Sequence, residues 1–235
     1  MSRSLQNLID TRSIVRFLKL LFIMSIACCV LASLRVYISD DYSYLFLIWN
    51  LFLAWVPLLI AFYLKRVYFL VRKRYSILIV SCFIWLLFFP NSPYIITDLI
   101  HINPTVTTHV WLDALLIFSF ALTGLIAGFI SLYILHEILD SLFNRYFNWS
   151  LIVLTFLLSG YGIYLGRVLR WNSWDLFTRP KPLLSDVATQ IDNPEAMLMT
   201  VVFTFFMIFS YLILHSLINL KYQVQNNDQD KKVPQ

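Results

Sequence analysis

From Tyr44 to Leu64 the chain carries no charged residue. The same holds from Tyr75 to Thr97, from Ala114 to Leu135 and from Tyr146 to Gly166. Each run is about the 20 residues that an α-helix needs to cross the hydrocarbon of a bilayer. The stretch from Ala196 to Leu214 is nearly as clean. With a weaker first segment these runs predict six apolar helices, at roughly 17–38, 44–64, 76–97, 111–135, 149–169 and 197–218. The fold class expected is an all-α, polytopic membrane helix bundle.

Composition supports that class. Only 13% of residues are charged, and mean hydropathy is +0.74. A soluble domain carries about 25% charged residues. The net charge is +5. A basic chain raises the question of nucleic acid, but here the positive charges flank apolar segments rather than cover one soluble face. Membrane lipids are the expected partners, and nucleic acid is not.

The first segment is the weakest. Its charge-free part runs from Leu20 to Leu34, between Lys19 and Arg35, whose long side chains are expected to snorkel to the headgroups. Basic residues before a short apolar run, with Val30-Leu31-Ala32 behind, also fit a cleaved signal peptide. A retained helix is favoured because the apolar character continues past that site.

Most of the 18 lysines and arginines fall on one side of this topology. Arg3, Arg12, Arg16 and Lys19 precede the first segment. Lys65, Arg66, Arg72, Lys73 and Arg74 fill the second connection. Arg145 lies in the fourth, and Lys221, Lys231 and Lys232 in the tail. The positive-inside rule then puts both termini in the cytoplasm. The first, third and fifth connections face outward. Residues 1–16 read as a basic cytoplasmic lead-in, 17–218 as the six-helix domain, and 219–235 as a polar cytoplasmic tail, disordered from Lys221 onward.

Cys28, Cys29 and Cys82 all sit in apolar runs with no CxxC pair, and read as small buried residues. Gly124 and Gly128 form one GxxxG, and Gly162 and Gly166 form another, with Gly160 close by. Such spacing lets helix backbones approach closely.

Two stretches break the apolar pattern. In PNSPYIITDLIH (90–101), Pro90 and Pro93 each remove a backbone donor and predict a break near the outer end of the third apolar helix. Asn91, Ser92 and water would satisfy the freed carbonyls. If α-helicity resumes, Tyr94, Asp98 and His101 share one face. In GRVLRWNSWD (166–175), Arg167 and Arg170 are expected to share a face at the outer end of the fifth helix. Asn172 and Asp175 follow, between interface-type tryptophans Trp171 and Trp174.

With six apolar segments, these two stretches resemble the family called domain of unknown function 1361, which comprises small bacterial integral membrane proteins. The pattern falls on Pro90, Asn91, Pro93, Tyr94, Thr97, Asp98 and His101, and on Gly166, Arg167, Arg170, Trp171, Asn172, Ser173, Trp174 and Asp175. The resemblance covers roughly residues 20–220. It implies a membrane location and no established activity.

The candidate polar site is therefore Asn91, Tyr94, Asp98, His101, Arg167, Arg170, Asn172 and Asp175. One reading is an ion-pair lock between helices. The other is a functional site, the default for ionisable residues within a membrane segment. Paired arginines suit phosphate or carboxylate, so the expected role is a binding or accessory membrane protein contacting an anionic headgroup or a protein partner. A membrane-embedded enzyme using Asp98 or His101 as general base is the alternative, as is a small transporter subunit. A metal site from Asp98, His101, His109 and Asp113 matches no strong ligand spacing, and no metal or cofactor is expected. His136, Glu137 and His215 read as satisfied residues at helix ends.

Overall fold

A computed structural model of the chain describes residues 11–70, 75–102 and 109–230. Among the described residues there is no strand. The elements are α1 (Thr11–Ser39), α2 (Phe46–Leu70), α3 (Tyr75–Phe88), α4 (Asn91–Tyr94), a 3-10 helix (Ile95–His101), α5 (Val110–Asp140), α6 (Arg145–Arg167), α7 (Asp175–Thr178), α8 (Pro180–Thr189) and α9 (Pro194–Asp230). Among the described residues six stretches are long and apolar enough to span a membrane: Val15–Ser39, Phe46–Tyr68, Ser76–His101, Val110–Asp140, Arg145–Arg167 and Pro194–Ile218. These match the six segments read from the sequence.

The helix boundaries follow local chemistry. Asn144 caps α6, its side-chain oxygen accepting from the Phe147 N–H at 2.9 Å. Asn193 does the same for the Glu195 N–H before α9. Asparagine is among the best residues for this task. Pro180 opens α8, where its missing N–H costs nothing. Pro57 sits inside α2, which continues past it. α3 stops at Phe88, and after a turn at 89–90 the chain resumes as short α4 and the 3-10 helix. Pro90 and Pro93 cannot donate to the preceding turn, so a continuous α-helix would leave carbonyls unsatisfied there.

The chain divides into two compact units. The first comprises residues 1–55 and 91–127, the second 56–90 and 128–235. In the first unit Cys28, Leu47, Leu51, Ala54, Ile95 and Phe120 form a buried core. The Trp55 indole N–H donates to the Ser25 hydroxyl at 3.1 Å, and Cys28 Sγ lies 3.6 Å from Thr123 Oγ1. Gly124 gives close approach: a Cβ there would meet Ile95 Cδ1 at 2.8 Å, and Ala54 Cβ and the Ser92 carbonyl oxygen at 3.3 Å.

In the second unit α6 packs along α9. A Cβ on Gly160 would stand 2.7 Å from the Thr200 carbonyl oxygen. The Thr204 hydroxyl donates to the Phe156 carbonyl at 3.3 Å. Phe89, Phe129, Phe156 and Tyr211 form a contiguous aromatic core. The glycine contacts refine the GxxxG reading. Gly124 serves α4 and α2, Gly160 serves α9, and Gly162 faces the Pro90 ring at 3.2 Å. None of these three contacts joins α5 to α6.

The outward faces are apolar. Phe205 is 72% exposed, and Phe22, Phe83 and Val201 are likewise exposed. Apolar surface on this scale, on helices of spanning length, belongs against lipid.

One boundary differs from the sequence reading. Disorder is expected from Lys221 onward, whereas α9 runs to Asp230. Residues 219–230 contain no glycine or proline, and a helix already formed propagates at one hydrogen bond per residue. Residues 1–10 of the basic lead-in, Arg72, Lys73 and Arg74, and Lys231 and Lys232 lie outside the described residues.

Candidate functional site

Polar side chains gather in each unit. In the first unit, Arg35 near the end of α1 donates through Nε and Nη2 to the two carboxylate oxygens of Asp113, the Nη2 contact at 3.2 Å. Arg35 is 3% exposed and Asp113 is fully buried. Tyr44, just before α2, donates to the same carboxylate at 3.2 Å, and its hydroxyl lies 3.4 Å from the His101 carbonyl oxygen. Burial, followed by the Asp113 charge, pushes the Tyr44 hydroxyl up to about 12, so it remains a donor. Its ring lies 5.5 Å from the guanidinium carbon. Asp41 stands 3.8 Å from Arg35 Nη2. The Ser43 hydroxyl and backbone N–H hold the Asp41 carboxyl below its usual range.

Arg35 thus does not snorkel. It turns inward because a buried carboxylate on α5, three spanning segments further along the chain, offers both oxygens, the geometry a guanidinium fits best. Sequence reasoning treated Arg35 as an edge residue and Asp113 as a weak metal candidate. The available signal was that both are ionisable residues within spanning segments.

Asp98 forms the second group in this unit. It is fully buried. The Asn50 amide donates to Oδ2 at 2.9 Å, and His101 Nε2 lies 4.0 Å from Oδ1. The His101 side chain is 48% exposed and packs edge-on against Phe46. The expected α-helical face of Tyr94, Asp98 and His101 does not form as such. The chain resumes as a 3-10 helix with three residues per turn, which aligns Asp98 with His101 and drops Tyr94 from the row. Asn91 and Tyr94 are half-buried in α4.

The remaining candidates belong to the second unit. α6 ends at Arg167, which is half-buried. Arg170 lies beyond the helix with φ 60°, so it shares no helix face with Arg167. The left-handed turn brings the Trp171 N–H back to the Leu165 carbonyl at 3.1 Å. Glycine or asparagine usually occupies such a helix-ending position. The left-handed conformation costs an arginine about 1–2 kcal/mol.

The loop that follows is tightly held. The Trp171 indole donates to Asp186 at 2.9 Å, and the Ser173 hydroxyl to the Leu87 carbonyl at 2.9 Å. Asp175 is buried. It accepts from the Asn172 backbone N–H at 2.9 Å, the Asn172 amide at 3.3 Å, the Thr178 hydroxyl at 3.1 Å and Arg179 Nη2 at 3.1 Å. Burial pushes its carboxyl up, but these donors outweigh that and hold it below the usual carboxylate range. Arg179 also covers the Trp171 ring at 4.8 Å. The cation that serves Asp175 is thus Arg179, four residues on and just past the end of α7. Asn172 and Arg170 are exposed.

Among the described residues no three His, Cys, Asp or Glu side chains gather closely enough to hold a metal ion.

Apolar helices of spanning length, with ionisable side chains paired where they enter those spans, define an α-helical, multi-pass membrane protein. Residues 49–210, more than half of the chain, match the family described as Protein of unknown function (DUF1361), and the chain belongs to that family. Both motif stretches lie inside the matched region. No curated protein and no solved structure matches the chain.

Proposed function

We propose that this is a bacterial cell-membrane protein, with both termini in the cytoplasm, that holds an anionic lipid headgroup at the loop after α6. The observation that carries the reading is Arg170. Its side chain is exposed, and its backbone is kept in a costly left-handed conformation by the hydrogen bonds around it. Backbone strain of this kind concentrates at ligand clamps and switch regions. The acids that meet this loop are engaged elsewhere, Asp175 by Arg179 and Asp186 of α8 by Trp171. Trp171 and Trp174 suit the depth of the headgroups. Of the other candidates in this unit, Arg167 ends the helix, and Asn172 and Asp175 build the turn that presents Arg170.

The test is native mass spectrometry of protein released from nanodiscs of equal phosphatidylglycerol and phosphatidylcholine. Wild type is expected to retain phosphatidylglycerol. Arg170→Gly relaxes the backbone, so it should be at least as thermostable yet lose the lipid. Equal retention by the glycine variant would end this reading. Copurification of a protein in place of lipid would turn the reading toward a membrane partner.

A second reading rests on Asp98 in the first unit, with Asn91, Tyr94 and His101 near it in sequence. A buried carboxylate oriented by Asn50, beside a half-exposed imidazole, is an arrangement that can accept a proton from a substrate. It favours an enzyme acting on lipid or envelope precursors. Loss of turnover in Asp98→Asn with the fold retained would support it.

A further inference from the structure

At the other end of α5, inside the second unit, lies a group that the proposed function does not use. His136 is 3% exposed. Its Nδ1 lies 2.8 Å from the hydroxyl of fully buried Tyr211 on α9, and its Nε2 lies 3.7 Å from Asp140. The His215 ring stacks on it, with centroids 5.2 Å apart and planes 20° from parallel. Trp149 on α6 stands edge-on to both rings, at 4.9 Å and 5.4 Å. The Asn148 amide clamps the His136 carbonyl and Asp140 together.

We propose that His136 and His215 form a site for one proton, and that its occupancy sets how α9 docks against α5 and α6. Two imidazolium rings stacked at this distance repel strongly, because the buried surroundings screen them poorly. Asp140, 3.7 Å from His136 Nε2, is the counter-ion for the single positive charge. Groups coupled this closely release their protons in steps that belong to the pair.

The charged and titratable neighbours come from every packed element. α5 supplies Tyr133, Glu137 and Asp140, and α9 supplies Tyr211. α6 supplies Arg145, a charged neighbour of His215. α2 supplies Lys65, 3.7 Å from Glu137. Lys65 thus offsets Glu137.

Occupancy has a mechanical consequence. In neutral His136 with its proton on Nε2, Nδ1 accepts the Tyr211 O–H. When His136 takes a second proton, Nδ1 becomes a donor, and the Tyr211 hydroxyl must turn to accept. Its own hydrogen then needs a new partner in a buried site, where an unmet donor is costly. Proton uptake therefore acts on the seat of α9.

The chain has four histidines, so selective 15N-histidine NMR in nanodiscs can follow each of them between pH 4.5 and 8.5. In wild type, the His136 and His215 signals are expected to move together through one shared step, the uptake of the single proton. In His215→Gln, the His136 midpoint is expected to move by about one pH unit or more, the threshold for coupled titration. Tyr211→Phe keeps the ring and should change the His136 tautomer signal. Independent single-step curves in wild type, or signals unchanged across the range, would overturn the proposal whether or not the variants fold. Neither result bears on the headgroup reading, which concerns a different loop.

Discussion

Arg35 and Asp113, 78 residues apart in sequence, meet through two hydrogen bonds in a setting that solvent scarcely reaches. A buried pair of this kind is strongly destabilised by loss of one member, by about 3–5 kcal/mol, because the other charge is left uncompensated. Arg35→Met and Asp113→Leu should each cost about that much. The double variant should cost less than either single change, because no lone charge remains. Unfolding of all four proteins in one detergent gives the coupling. Additive losses would show that the pair does not act as a unit.

The glycines give a ranked prediction. Gly160→Ala should be the most damaging, because its Cβ would meet backbone, the Thr200 carbonyl, at 2.7 Å. Gly124→Ala should cost less, since its closest contact is the flexible end of Ile95. Overpacking costs about 1–3 kcal/mol, against a helix-propensity gain of about 1 kcal/mol for replacing glycine. Gly162→Ala, facing only Pro90 carbons at 3.2 Å and beyond, should be close to neutral. Thermal midpoints of the three variants test the order.

Asp175 makes the loop after α6 acid-sensitive. Its carboxyl is held below the usual range. A depressed carboxyl contributes stability that is fully present above its unfolded value, about 3.9, and is lost as pH falls through the lower folded value. Wild type should therefore lose stability below about pH 4. Asp175→Asn should start less stable, by about 1–3 kcal/mol, and show a shallower acid dependence. Parallel pH profiles for the two proteins would contradict this.

Asn50 should matter through Asp98. Removing its amide in Asn50→Leu leaves a fully buried carboxylate oxygen short of a donor, at a cost of about 1–3 kcal/mol. Asn50→Leu combined with Asp98→Leu should recover part of the loss. A double variant worse than the sum would show that Asp98 is held mainly by other groups.

The six spans were legible because they rest on local composition, and a helix in lipid must satisfy its own backbone. The break at Pro90 and Pro93 falls where two missing donors require it. The polar pairings were less legible. Arg35 and Asp113 belong to different apolar segments, and nothing within either segment marks the other as its partner. The expected shared face of Arg167 and Arg170 assumed that the helix continues, but α6 stops at Arg167 and an arginine takes the left-handed position usually given to glycine. Asp175 and Arg179 were within reach of sequence reasoning, being four residues apart. His136 and His215 come together only through the packing of α5 and α9.

The headgroup reading depends on the Arg170 loop facing outward, and that is the first thing to measure. Single cysteines at Ser185 and Ser76, in a background lacking Cys28, Cys29 and Cys82, would be exposed in intact cells to a membrane-impermeant thiol reagent. The account predicts labelling at 185 and none at 76 until the membrane is opened. Labelling at 76 alone would invert the protein, place Arg170 against the cytoplasm and contradict the proposed site.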